Sequence, residues 1–285
     1  MSQSFVVFPM SQEMTLEAGK TYRGAINVVN PADADGDFSY AIVVTPYSVA
    51  DVGYEANLEE TSTWSQIVDW IKIDDPSGTL APNETKEITF TVTVPTDAPA
   101  GGQYAAIAVR SSGAEVAQGD SLKIHNVYEL ASVIYATVEG ETVHSGEVVT
   151  NTVPGFVTDG DVVLTTMVAN TGNVHEMAAV KIEAKNILTG ERFFPRSESE
   201  VVYEEVVMPS TTRYIARELN ELPLLGVFEV SQEVSYLGET SLNTSLVILC
   251  PIWFMVLVVA TIGTLIGTIT ALIMKRRREK RAMMI

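Results

Sequence analysis

From Thr240 to Met274 the chain carries no charged residue, and from Ile252 to Met274 it is apolar for 23 residues with only scattered threonines and glycines. As a helix rising about 1.5 Å per residue, that core reaches about 34 Å, enough to cross a hydrocarbon layer of about 30 Å. A soluble helix of this length would show a polar stripe, and none is legible. A membrane span over residues 244–274 is therefore expected. Trp253 stands near one end, where interfacial aromatics collect, and Pro251 precedes the core, where a helix start tolerates it. Lys275, Arg276, Arg277, Arg278, Lys280 and Arg281 follow at once. Basic flanks stay on the cytoplasmic side, so residues 275–285 read as a cytoplasmic tail and residues 1 to about 243 as extracytoplasmic. The first residues, "MSQSFVVFPMSQEM", show no basic n-region, and their apolar run extends only from Phe5 to Met10. Export then calls for a signal that has been removed or a different start. A tail-anchored chain would put the basic tail outside, against the charge rule. Gly263 and Gly267 form a small-xxx-small pattern within the span, which permits weak self-association between helices.

The formal net charge is −18, and it is unevenly spread. The basic tail holds six of the 18 Lys and Arg residues and one of the 36 acids, leaving 12 basic and 35 acidic residues elsewhere. Such a surface argues against nucleic acid as a partner, because phosphate contacts need cations. Self-repulsion suits it to a solvated, exported domain. The one cysteine, Cys250, lies in the uncharged run, so no disulfide within the chain is possible. That mildly favours a prokaryotic surface protein, and structural zinc lacks its usual ligands.

The rest of the chain has the period of strands. In "ITFTVTV", Ile88, Phe90, Val92 and Val94 share one face and Thr89, Thr91 and Thr93 the other. "VKIEAK" sets Val180, Ile182 and Ala184 against Lys181, Glu183 and Lys185. "FEVSQEVSY" aligns Phe228, Val230, Val234 and Tyr236, with Gln232 as the exception, and "YRGAINV" aligns Tyr22, Ile26 and Val28. Many short strands between turn residues predict an all-β fold of sandwich type. One helical patch interrupts them. In "TWSQIVDWIKID", Trp64, Ile67, Val68 and Ile71 fall at helical spacing, and Thr63 with Gln66 fits a capping box. A short helix is expected near 63–71, closing one end of the first sandwich, with Trp70 in the core or its seal rather than stacking on a sugar.

The plan then repeats. "INVVNPADADGDFSYAIVV" and "VVLTTMVANTGNVHEMAAVKIEA" each read strand, Asn-led turn, strand. "TLAPNETKEITFTVTVPTDAPAGGQYAAIAV" and "VVMPSTTRYIARELNELPLLGVFEVSQEVSY" each read Pro-led turn, strand, Pro-containing bend, strand. Shared order predicts two tandem Ig-like β-sandwich domains, residues 1–138 and 139–243, ahead of the single helix. The bend with Pro95, Pro99, Gly101 and Gly102 reads as a corner between strands. Prolines end a ladder and glycines supply unusual φ, whereas a phosphate loop would need a helix after the glycines.

Chemistry-bearing motifs are scarce. Asp33, Asp35 and Asp37 alternate in "DADGD", but Gly36 comes too early for a calcium loop and Val44 holds its twelfth position. A polar hairpin turn is the expectation there and for "TDGD" at Thr158–Asp161. His125, His144 and His175 stand far apart with no partner motif and read as surface or strand-edge residues. No nucleophile elbow, zinc-protease or P-loop motif occurs, so no catalytic residue, metal site or cofactor is expected, and the chain does not read as an enzyme. The sequons at Asn83 and Asn243 matter only in a eukaryotic secretory route.

The stretches "LEAGKTYRGAINVVN", "TLAPNETKEITFTVTVP" and "PAGGQYAAIAV", then "VANTGNVHEMAAVKIEAKNILTGE" and "VVMPSTTRYI", followed by the anchor and basic tail, resemble the bacterial WxL-interacting protein family. The resemblance implies two Ig-like domains, the first associated with peptidoglycan and the second with a host or partner protein. It assigns no individual binding residue. The expectation is a membrane-anchored extracytoplasmic binding or adhesion module that holds a cell-wall polymer or another surface protein. The alternative is a structural stalk or a subunit of an envelope complex.

Overall fold

The computed structural model describes residues 5–49, 56–57, 62–111, 115–118, 122–125, 128–158, 160–195 and 201–282. The chain is mostly β-sheet, with 57% of the described residues in strands, and carries one long apolar helix, Ile252–Ala282. Its contacts divide into two units. The first comprises residues 1–147 with 168–177 and 206–214, and the second residues 148–167, 178–205 and 215–285.

In the first unit, one sheet runs Val6–Phe8, Thr21–Val29, Thr85–Thr93, Ile71–Ile73 in spatial order. A second runs Ser11–Leu16, Glu129–Val138, Gly101–Ser111, Phe38–Pro46, Ser77–Leu80, with Ser11–Leu16 parallel to its neighbour. Both sheets feed one core. Ile26, Val28, Ile88, Phe90 and Val92 come from the first and Leu16, Phe38, Ile107, Val109 and Ile134 from the second. The expected alternation of Ile88, Phe90, Val92 and Val94 inward holds. Burial of such side chains contributes about 1.5–3 kcal/mol each, which outweighs any single polar contact at the edges.

The strand Gly101–Ser111 departs from alternation. Every residue but Arg110 is buried, because it lies inside its sheet with strands on both sides and material over both faces. The bend before it is a corner, as expected. Gly101 has φ +114°, and the amide of Gly102 donates to the carbonyl of Asn173 at 2.7 Å. A Cβ on Gly102 would lie 1.9 Å from the Tyr104 hydroxyl, so the glycine permits close approach rather than cradling a ligand.

The helix near 63–71 is shorter than predicted. It covers Ile67–Trp70, and Ile71 already opens a strand. Gln66 makes no side-chain cap. Instead the buried Gln103, from the central strand, accepts from the amide of Ile67 at 3.2 Å and donates to the carbonyl of Thr63 at 3.1 Å. A tertiary glutamine thus satisfies one amide and one carbonyl at the helix start, in place of a local capping box. Trp70 joins the core as expected, whereas Trp64 leaves the predicted stripe and packs beside Tyr104 and Tyr135.

In the second half of the chain a large sheet runs Phe156–Val157, Glu239–Leu249, Gly226–Tyr236, Glu176–Asn186, Arg192–Phe194, and Val202–Val207 also pairs with Glu176–Asn186. Gly146–Thr152, Val162–Asn170 and Thr211–Leu219 form a three-stranded sheet. Val180, Ile182, Ala184, Phe228, Val230, Val234 and Tyr236 are all buried, as their spacing predicts. Gln232 shares their buried face because its amide donates to Thr166 Oγ1 at 2.9 Å. The last strand runs to Leu249, so residues 244–249 of the expected span are strand instead. Ladder bonds to Gly226–Tyr236 along its full length hold them there.

Two buried asparagines clip corners of the same design. Asn30 Nδ2 donates to the carbonyls of Gly36 and Leu80, each at 3.0 Å. Asn170 Nδ2 donates to Val174 at 2.8 Å and Val207 at 3.0 Å. These are the two Asn-led turns of the repeated sequence plan.

Candidate functional site

The helix Ile252–Ala282 starts without a linker. The amide of Cys250 still donates to the carbonyl of Val157 at 3.0 Å, Pro251 is buried, and Pro251's carbonyl already accepts from Phe254 and Met255. From Val256 to Arg276 the described side chains are exposed, among them Val256, Leu257, Val259, Leu265, Ile266 and Leu272. A run of this length and composition, uncovered by the rest of the chain, can cross a bilayer. Its hydroxyls are satisfied internally. Thr261 donates to Leu257, Thr264 to Thr261 and Thr268 to Leu265, at 2.7–2.8 Å. Such back-bonding leaves no unpaired donor to place in hydrocarbon.

Trp253 sits in the first turn, exposed and edge-on to Phe254 at 5.8 Å. Lys275 and Arg276 are exposed at the far end. Arg277, Arg278, Lys280 and Arg281 continue the same helix in backbone, and their side chains lie outside the described residues. The aromatic and the basic cluster thus stand at opposite ends of one apolar rod. Gly263 and Gly267 lie one turn apart, and a Cβ on either would meet nothing within 4 Å. The face they form is open to a partner helix.

A second constellation was not legible from sequence. His175 packs between tyrosines in the first unit, with ring centroids 5.0 Å from Tyr135 and 5.6 Å from Tyr104. Its Nδ1 lies 3.3 Å from the Tyr104 hydroxyl, and its Nε2 lies 3.3 Å from Glu13 Oε1. The amide of His175 donates to the same hydroxyl at 2.8 Å. Tyr47 completes the group through a 3.2 Å contact with the Tyr135 hydroxyl, and Met208 packs beside them. Burial pushes both Tyr104 and Tyr135 well above the ordinary phenol range. Both nitrogens of the His175 ring have a partner at 3.3 Å, so the ring forms a clasp between Glu13 and Tyr104. The surface reading of His175 is therefore corrected: its side chain is only 11% exposed. The cue is absent from the sequence because Glu13, Tyr104 and Tyr135 come from three distant strands. His144 remains exposed, 2.6 Å from Glu176. His125 ends the strand Leu122–His125, and its side chain lies outside the described residues.

The "DADGD" stretch is a turn, where the amide of Ala34 donates to Pro31 at 3.1 Å. In "TDGD", Asp159 lies outside the described residues. Among the described residues no group of three or more His, Cys, Asp or Glu side chains is arranged to hold a metal ion.

No family model matches the chain, and no curated protein matches it. Solved structures that resemble it include a chain of a chaperone–tip adhesin complex of CFA/I fimbriae. It is 12% identical with a TM-score of 0.39, and the match covers 85% of this chain and 98% of that one. The chaperone DraB of E. coli is 11% identical with a TM-score of 0.39, over 85% and 96% of the two chains. A chain of the CsuC–CsuE chaperone–tip adhesion subunit complex of Acinetobacter baumannii is 14% identical with a TM-score of 0.39, over 86% and 99%.

Proposed function

We propose that this chain is a membrane-anchored extracytoplasmic binding module. In this reading two tandem Ig-like sandwiches are displayed by a single helix, with Trp253 at the outer interface and Lys275 to Arg281 in the cytoplasm. The observation that carries it is the exposed apolar helix, which continues directly from a sheet strand and ends in basic residues. In water an apolar rod of this length would leave a far larger nonpolar surface uncovered than soluble chains keep, and a bilayer buries it. The module holds a cell-wall polymer or another surface protein, in keeping with the WxL-interacting resemblance, and it acts by binding rather than catalysis. Sheet faces, edges and loops supply the contacts.

The test has two parts. Alkaline carbonate should leave the full chain in the membrane pellet, and protease added to intact cells should remove the sheets and spare a tail epitope. The detergent-solubilised full chain should then cosediment with purified sacculi at moderate salt. Release by carbonate would overturn the anchor. Retention in membranes without sacculus binding would move the ligand to a surface protein. The open Gly263 and Gly267 face favours a second reading, a subunit in an envelope complex. That reading expects crosslinked dimers in membranes, lost on Gly263→Leu.

A further inference from the structure

The outer face of the large sheet changes character toward the end where the helix leaves. The register sets Glu183, Ser231 and Thr244 side by side across three strands, a polar row. Two residues nearer the helix the row is Lys185, Glu229 and Leu246, with Lys185 and Glu229 paired at 2.6 Å. The last row is Val227, Ile248 and Phe156, wholly apolar, and Ile187 follows where its amide donates to the Val227 carbonyl at 3.1 Å. Leu188 and Leu224 stand in the turns at this same end. Exposure is 81% for Leu188, 60% for Leu224, 53% for Phe156, 44% for Ile187 and 42% for Ile248. Exposed apolar residues scattered singly would need no account, but these gather in one place.

Chain continuity says what covers them. After Cys250 makes the last sheet bond, only Pro251, at most about 7 Å of extended chain, separates it from Ile252 at the start of the apolar helix. Phe156 and Ile248 therefore cannot stand far from the point where the helix enters the bilayer, and Trp253 lies at that point. We infer that this apolar rim of Phe156, Ile187, Leu188, Leu224 and Ile248 dips into the headgroup–acyl boundary of the bilayer. The sheet would then stand seated on the membrane rather than held above it. The inference rests on the anchored reading above. The contact is apolar, so it needs no anionic lipid, and the polar rows beyond it stay in water.

The test uses the full chain with Cys250→Ser, reconstituted in phosphatidylcholine vesicles with and without phosphatidylglycerol. An environment-sensitive dye is placed in turn on Phe156→Cys, Leu188→Cys, Leu224→Cys, Leu242→Cys and Val259→Cys. Leu242 is equally exposed, at 64%, but lies toward the opposite end of the same strand. Dyes at 156, 188 and 224 should be quenched several-fold more by a lipid-borne nitroxide than by aqueous iodide, in both lipid mixtures. The dye at 242 should show the reverse. Lipid quenching at 259 with aqueous quenching at the rim would overturn the seated sheet and leave the anchor standing. Aqueous quenching at 259 would sink the anchor and the rim together. Rim dyes shielded from both quenchers would mean a protein cover, and quenching that requires phosphatidylglycerol would mean an electrostatic contact. Either result overturns the inference.

Discussion

The corners built on Asn30 and Asn170 answer one problem with the same device. In each, a buried asparagine donates both amide hydrogens to backbone carbonyls, one in its own turn and one in a distant segment. One carbonyl is at the end of the turn, and the other lies just before a Pro-led turn. Each of those turns, after Pro82 and Pro209, holds a non-glycine residue at positive φ, +67° for Asn83 and +58° for Ser210. The corners differ in how tightly they are packed. Asn170 Oδ1 also accepts from the amide of Gly172 at 2.9 Å. A Cβ on Gly172 would sit 2.1 Å from the Val143 carbonyl oxygen, while one on Gly36 would meet nothing within 4 Å. The second corner is also followed at once by Val174 and His175, so it abuts the tyrosine clasp. The topology tolerates a loose corner and a tight one, and the clip is what they share.

Breaking the clips should have the largest effect. Asn170→Ala would leave two buried carbonyls and one amide without partners and should cost about 2–4 kcal/mol, with Asn30→Ala smaller at about 1–3 kcal/mol. Urea unfolding of the detergent-solubilised chain, followed by the fluorescence of Trp64 and Trp70, measures both. Equal losses would mean that the Gly172 bond adds nothing. Next, Gly172→Ala should cost about 1–3 kcal/mol, because its obstacle is backbone, and Gly36→Ala should stay within about 0.5 kcal/mol. A tolerated Gly172→Ala would show that this corner is as loose as the other.

Alkaline pH separates the corners further. The folded state holds the phenols of Tyr104 and Tyr135 protonated above their ordinary value near 10. Their contribution is thus full below about pH 10 and falls as pH rises beyond it, because the unfolded chain then releases protons that the folded chain retains. At pH 11 the loss should be about 1 kcal/mol per tyrosine. Amide exchange should quicken around Val174 and His175 before it quickens around Asn30. Similar acceleration at both corners would remove the clasp as the cause. The smallest effect is expected at the positive-φ residues. Ser210→Gly should stabilise by up to about 1 kcal/mol and Asn83→Gly should be near neutral, since asparagine tolerates the left-handed region better than serine. The same urea transitions decide it, and a neutral Ser210→Gly would mean that no strain is held there.

Much of this was readable in the residues. Period-two alternation gives strand faces because successive side chains point to opposite sides, so Ile88 to Val94 and Val180 to Ala184 could be assigned inward without coordinates. The two Asn-led turns could be paired by order, though not their hydrogen bonds. The helix patch misled because Trp64, Ile67, Val68 and Ile71 satisfy a helical template that the structure uses for only one turn. Gln103, 36 residues beyond Ile67, then accepts from the Ile67 amide at the helix start, where a local cap was expected.

What the sequence by itself determined is therefore local or one-dimensional: the mostly β character, the strand faces, the proline–glycine corner, and the apolar helix with its basic end. Those follow from the spacing of apolar residues, from proline's missing amide and from the uncharged run. Tertiary structure alone decided the rest. The last strand reaches Leu249 because a neighbouring ladder holds it, and His175 is half-buried because Tyr104 and Tyr135 pack on it and Glu13 meets it from a distant strand. The apolar rim exists because strand register sets Phe156 beside Ile248, 92 residues away. Long-range pairing places such groups together, and no periodicity along the chain carries that information.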